Sequence, residues 1–176
     1  MEKYEELKLL FSKIDEYFDD AKDDYEERYR AWLKIIFNNE SDRAKSEMPK
    51  VGVLKQLVID WLNEHNKILP LSRNIRVRSG LINAKKATRH SNKGDALSKT
   101  DWEHLIEMLQ KPKHILYDNK SGKILYLSDS ADRLNQLCIE FDYRKANYDC
   151  MIVSAYKTTF ANVNQRIQRK DIIKIV

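Results

Sequence analysis

Glycine is scarce. There are four in 176 residues, Gly52, Gly80, Gly94 and Gly122, and no two lie within ten positions. Nucleotide-phosphate loops need paired glycines for close backbone approach, so neither a Walker loop nor a dinucleotide fingerprint can be written. Proline is scarcer, with three, and such sparse punctuation predicts long helices. Two cysteines, Cys138 and Cys150, exclude a disulfide framework and a four-cysteine zinc site. Both read as reduced and partly buried. Long uncharged runs are missing too. The longest stretch free of Asp, Glu, Lys and Arg is eight residues, Thr158 to Gln165, too short for a transmembrane helix. The opening MEKYEELKLL is acidic and lacks the basic n-region of a secretory signal. A cytoplasmic protein without a membrane partner is the expectation.

What is present is enough for a core. Hydrophobic residues make up 42% of the chain and include three Trp, nine Tyr and five Phe, which argues against wholesale disorder. The net charge of +5 hides an asymmetry. Residues 1–47 hold 9 basic and 14 acidic side chains, and residues 48–176 hold 23 basic and 13 acidic. Within the second part, residues 67–99 carry nine basic side chains and one acid, Asp95. Cations at this density displace counterions condensed on phosphates, so a nucleic acid is the natural partner.

The acidic segment reads as a helix over about residues 2–38. Tyr4, Phe11, Phe18, Tyr25 and Trp32 repeat every seven residues. Leu7, Ile14, Ala21, Arg28 and Ile35 fill the complementary heptad position, with Arg28 as the exception. That is a coiled-coil or helical-hairpin seam. Five bulky aromatics at one position pack poorly in a two-stranded coil, so docking on a second helix or on the main domain is the first expectation. An oligomerising or partner-binding helix is the alternative. A second helix is predicted from about Pro49 to Asn66, with Leu54, Leu57, Val58, Trp61 and Leu62 on its apolar face.

Residues 74–78 read as a short extended piece, with Ile75 and Val77 on one face. A short basic helix is expected over about Gly80 to His90, then a polar loop. SKTDWEHLIEML is a clear helix, with Ser98 and Asp101, or Thr100 and Glu103, as a capping pair. HILYD and KILYLS flank NKSG as a hairpin. QLCIEFDY and CMIVSAYKT supply two more strands, and DIIKIV an edge strand. The expected fold class is α+β: a helical N-terminal half, then helices packed on one face of a four-stranded antiparallel β-sheet. The expected division is an acidic helical arm, 1–47, and a basic α+β domain, 48–176.

Two places offer chemistry. Period-two alternation on the fourth strand puts Ile152, Ser154, Tyr156 and Thr158 on one face and Met151, Val153 and Ala155 on the helix-facing side. The basic helix carries Lys86 and His90 four apart, hence on one face, with Arg89 beside them. Histidine exchanges a proton near neutral pH, and Lys and Arg stabilise charge developing on a phosphate. His104 and His114 are weaker candidates. No HExxH, cysteine cluster or GxSxG exists, so no metal site and no serine hydrolase is expected.

The order of KKATRH (85–90), LSKTDWEHLIEMLQKP (97–112), HILYD and MIVSAYKTT (151–159) resembles the phage-encoded nuclease domains grouped with barnase, EndoU, colicin tRNases and RelE, over about residues 69–160. The resemblance implies helices on a four-stranded antiparallel sheet and metal-independent RNA endonuclease activity without a cofactor. It implies His90 as general acid or base, Lys86 as phosphate binder, and Ser154 where the family commonly has Thr or Ser on its final strand. It further implies Arg89, Arg78, Lys85, Tyr156 and Thr158 as substrate-binding residues. RNA, with tRNA as a candidate, is the expected substrate, in a phage effector or toxin-like role. An immunity protein or partner helix would bind through residues 4–35. A non-catalytic nucleic-acid-binding module and a phage structural or interaction protein are the competing readings.

Overall fold

The computed structural model describes residues 22–38, 41–83 and 92–176. The expected α+β class holds, but the sheet has seven strands among the described residues and is mixed. Its strands are β1 (Lys50–Val53), β2 (Asn74–Arg76), β3 (His114–Asp118), β4 (Ile124–Asp129), β5 (Leu134–Glu140), β6 (Cys150–Thr158) and β7 (Ile172–Lys174). They lie in the order β1-β2-β6-β5-β4-β3-β7. The four expected strands form its antiparallel centre. Beside them β2 pairs parallel with β6 and antiparallel with β1, and β7 pairs with β3 at the other edge.

The N-terminal half is therefore not purely helical. Residues 50–53 open the expected 49–66 helix as strand β1, and only α3 (Gln56–Glu64) is helical. Gly52 suits this close packing, because a Cβ there would lie 3.1 Å from Leu109 Cδ1. The other helices are α1 (Lys22–Asn38), α2 (Asp42–Ser46), α4 (Gly80–Asn83), α5 (Lys99–Glu103), α6 (Leu105–Gln110) and α7 (Phe160–Gln168). Ser98 and Asp101 form the expected capping box at α5. His104 separates α5 from α6, so the predicted single helix is two short ones. The β3–β4 turn closes on Gly122, whose φ of +71° favours glycine. Asp118 Oδ1 accepts the Lys120 N–H at 2.9 Å in the same turn.

Helices cover both faces of the sheet, not one. On the inner face Ile115, Tyr117, Ile124, Tyr126, Leu137, Ile139, Cys150, Ile152 and Ala155 share a core with residues of α1, α3, α5 and α6. On the outer face Leu116, Leu125, Leu127, Leu134 and Ile172 pack with Val163 of α7. Helix α7 follows from Phe160, Val163 and Ile167, spaced three and four apart, with Thr159 accepting the Asn162 N–H as its cap.

The described part of the heptad segment docks on the domain. Tyr25, Tyr29, Trp32, Leu33 and Ile36 are buried in the same core as β1 and β6, so that core runs across residue 47. Arg28 is exposed and Ile35 half-buried. Tyr25, Tyr29, Trp32 and Ile36 are spaced four, three and four apart with Leu33 beside them, so the aromatic position shares its buried face with Tyr29 and Ile36, not with Arg28 and Ile35. Tyr4, Leu7, Phe11, Ile14, Phe18 and Ala21 lie outside the described residues. Among the described residues no helix is long and apolar enough to cross a membrane.

Candidate functional site

Lys85, Lys86, Arg89 and His90 lie outside the described residues, so the expected meeting of Lys86, His90 and Ser154 has no measured distance. Arg78, Ser154, Tyr156 and Thr158 are described, and they stand on one side of the sheet. The reason is a register shift. Ile139 pairs with Ile152 and Cys138 with Ser154, which leaves Val153 as an extra residue in β6. A bulge of this kind breaks the period of two. Ile152 accordingly faces the inner core with Ala155, not the hydroxyls. Past the bulge, Ser154 lies opposite Cys138, and Tyr156 opposite Gln136. The expected triplet of Ser154, Tyr156 and Thr158 survives, and Ile152 is removed from it.

This outer face is polar beside β6. Gln136 Nε2 donates to Tyr156 Oη at 2.6 Å, and Arg166 of α7 donates to Gln136 Oε1 at 3.2 Å. Thr158 is buried and its hydroxyl donates to Asn162 Oδ1 at 3.4 Å. Ile75 of β2 and Val77 just past its end enter the inner core, so Arg76 and Arg78 point outward by alternation. Arg76 Nε donates to Asp149 Oδ2 at 2.7 Å and its Nη1 to the Met48 carbonyl at 2.9 Å. Arg78 Nη1 donates to Tyr143 Oη at 3.1 Å, with the guanidinium 5.9 Å from that ring's centre. QLCIEFDY reads as one strand to Tyr143, but β5 ends at Glu140. The chain turns at Asp142, with φ of 51°, and carries Tyr143 to Arg78 instead.

The result is a half-buried row of Arg76, Arg78, Tyr143, Ser154 and Tyr156. Sequence reasoning missed Arg76, Tyr143 and Arg166. Arg76 was within reach of it, because alternation with Ile75 and Val77 marks Arg76 as strongly as Arg78.

A second polar region occupies the inner face, where α5 and α6 meet the ends of β4 and β5. A cleft of about 490 Å³ there is lined by Asp101, His104, Glu107, Met108, Lys111, Lys113, Ser128, Asp129 and Asn135. Asn135 Nδ2 donates to Asp101 Oδ1 at 2.9 Å, and Lys157 Nζ lies 3.5 Å from Asp101 Oδ2. The chain re-enters beside it after the basic segment, where the Lys157 N–H donates to the Asp95 carbonyl at 2.6 Å. His104 Nδ1 lies 2.8 Å from the Thr100 carbonyl. His65 Nδ1 makes the same helix-end contact to Trp61 O, and its ring stacks on Trp61.

Burial raises the Asp101 pKa, but Ser98, Asn135 and Lys157 outweigh it and hold the carboxyl below its ordinary value. Burial likewise opposes ionisation of Asp149, and Ser72, Arg76 and Asn74 outweigh it. A carboxyl whose folded pKa is depressed contributes stability above its unfolded value, about 3.9, and loses it as pH falls through the folded value. The urea midpoint is therefore expected to fall steeply below about pH 4. Asp149→Asn should lower the midpoint at neutral pH and flatten the acid limb, and an unchanged acid limb would remove Asp149 from this account.

Burial, with Asp142 and Asp149 nearby, pushes the Cys150 thiol up to about 12, so it is no nucleophile at neutral pH. No cluster of three or more His, Cys, Asp or Glu among the described residues is arranged to hold a metal. No family model, curated protein or solved structure matches this chain.

Proposed function

We propose that this protein binds RNA across the outer face of β2 and β6 and cleaves it without a metal. The observation that carries the binding is the row of Arg76, Ser154 and Tyr156 on β2 and β6, with Arg78 just past β2 hydrogen-bonded to Tyr143 just past β5. Guanidinium groups suit phosphates, rings suit unstacked bases, and hydroxyls suit the sugar edge. The basic window at 67–99 adds the long-range attraction. The cleavage rests on Lys86 and His90 and on the nuclease resemblance of residues 69–160. A base takes the ribose 2′-OH proton, and the 2′-oxygen attacks phosphorus. The P–O5′ bond breaks as an acid protonates the departing oxygen. The products are a 2′,3′-cyclic phosphate and a 5′-OH.

A binding module without turnover is the second reading. Its support is that Tyr156 and Thr158 are engaged by Gln136 and Asn162, and that Arg76 is held by Asp149.

Labelled RNA and DNA incubated with the protein in EDTA separate the readings. RNA is expected to be cut and DNA, lacking the 2′-OH, to be bound but left whole. Affinity should fall steeply between about 50 and 200 mM salt. Arg78→Ala should lower the slope of log K against log salt by about one. Binding of both polymers with no cut RNA supports the second reading. Failure to bind either at low salt overturns both.

A further inference from the structure

Two buried polar atoms on residues that line the inner-face cleft have no hydrogen-bond partner. They are Asn135 Oδ1 and Ser128 Oγ, both shielded from water. Asn135 is 1% exposed, so an unused acceptor there leaves its desolvation uncompensated unless something supplies a donor. Its amide orientation is fixed, because the Nδ2 group already donates to the Asp101 carboxylate. The free oxygen therefore accepts only. Ser128 and Asn135 are direct cross-strand partners on β4 and β5. They share the inner face with Tyr126 and Leu137, which puts their Cβ atoms about 5 Å apart. A fixed acceptor thus stands beside a hydroxyl that can donate.

The charges around them nearly cancel. Lys113 pairs with Asp129 at 2.7 Å, Lys157 with Asp101, and Glu107 and Lys111 remain at the rim. A balanced lining favours neither a phosphate nor a bare cation. Met108, whose Sδ lies 3.9 Å from Asn135 Nδ2, gives an apolar wall. Its unbranched thioether is the group best able to yield to an entering ligand. The volume suits a nucleoside-sized molecule.

We propose that this cleft is a binding site for a neutral planar edge that offers an N–H donor beside an acceptor, as a nucleobase does, read by Asn135 Oδ1 and Ser128 Oγ. The site lies on the opposite face of the sheet from the Arg78 row and does not depend on the RNA reading.

The test is titration of the full chain with nucleosides, followed by NMR shifts of the Asn135 side-chain amide. Adenosine and uridine are expected to bind. N6,N6-dimethyladenosine and 3-methyluridine, which lack the donor, are expected to bind at least tenfold more weakly. Ser128→Ala should weaken adenosine about tenfold, the loss of one hydrogen bond. It leaves the Asn135–Asp101 bond in place, so folding is preserved where Asn135→Ala could fail. Oligoadenylate binding more tightly than adenosine, and losing that gain in Ser128→Ala, assigns the ligand as a base within a strand. Equal affinity assigns a free small molecule, and both support the site. Methylated and unmethylated nucleosides binding alike, or no shift at Asn135 with any of them, overturns it and leaves buried water as the partner of both atoms.

Discussion

Trp32→Ala is expected to destabilise the whole protein by about 3–5 kcal/mol, a large part of the 5–15 kcal/mol that holds a typical domain. Trp32 is 3% exposed. It packs near Tyr29, with ring centres 6.0 Å apart, and its Nε1–H donates to the Ala44 carbonyl at 2.7 Å. Truncation removes the ring, leaves a cavity and takes the indole donor from the Ala44 carbonyl, which keeps only the longer bond from the Glu47 N–H at 3.3 Å. Tyr29 beside it donates to the Trp102 carbonyl at 2.6 Å, tying α1 to α5 across 73 residues of sequence. Urea unfolding followed by circular dichroism reads the effect. Arg28→Ala, on the exposed side of the same helix, should change stability by less than about 0.5 kcal/mol. The contrast decides what α1 is. A detachable arm predicts that both substitutions leave the main unfolding transition unmoved, whereas a helix of the core predicts one cooperative transition that shifts with Trp32 alone.

The heptad of aromatics was legible because Tyr25 and Trp32 are large and regularly spaced. Its meaning was not, because a residue every seventh place is compatible with partners either three or four positions along the same helix. Only the domain it docks on decides between them: Tyr29, Leu33 and Ile36 are buried, and Arg28 is not. The hairpin at residues 114–128 was legible from Gly122 and the flanking apolar runs, and the capping box from Ser98 and Asp101. Strand β1 was hidden because KVGV precedes a helix with a similar apolar count, and Gly52 reads as a weak strand residue until Leu109 packs against it. Helix α7 was missed because it carries only Phe160, Val163 and Ile167 among polar residues.

The candidate site was half legible for a related reason. Alternation assigns faces correctly only while the register is unbroken. Nothing in CMIVSAYKT marks Val153 as the bulged residue, and the bulge inverts every assignment before it relative to those after it. Ser154, Tyr156 and Thr158 all lie past it and so keep their common face. Asn135 escaped notice because the strand was expected to begin at Gln136. One residue earlier, alternation places Asn135 on the inner face with Leu137 and Ile139. Buried polar residues on an apolar face are the ones that need an explanation.

His90→Ala is expected to lower the rate of RNA cleavage by about 10²- to 10⁴-fold, the usual share of a positioned acid or base in a proton-transfer step. Lys86→Ala should also slow cleavage, through loss of the charge that stabilises the phosphate in the transition state. Circular dichroism and the thermal midpoint of both variants are read beside the rates, and a loss of cleavage with both unchanged assigns the effect to chemistry and not to folding. Binding of uncut RNA should survive His90→Ala, because the imidazole acts on protons and the guanidinium groups of the outer face hold phosphates. His104→Ala is the control. That ring is exposed and its Nδ1 is taken up by the Thr100 carbonyl at the end of α5, so its removal should leave cleavage unchanged. A chain that still cuts RNA in EDTA without His90 and stops without His104 would move the acid–base chemistry to the inner-face cleft, where Asp101, Glu107 and Lys111 stand around His104. Single-turnover rates with the two variants distinguish the outcomes.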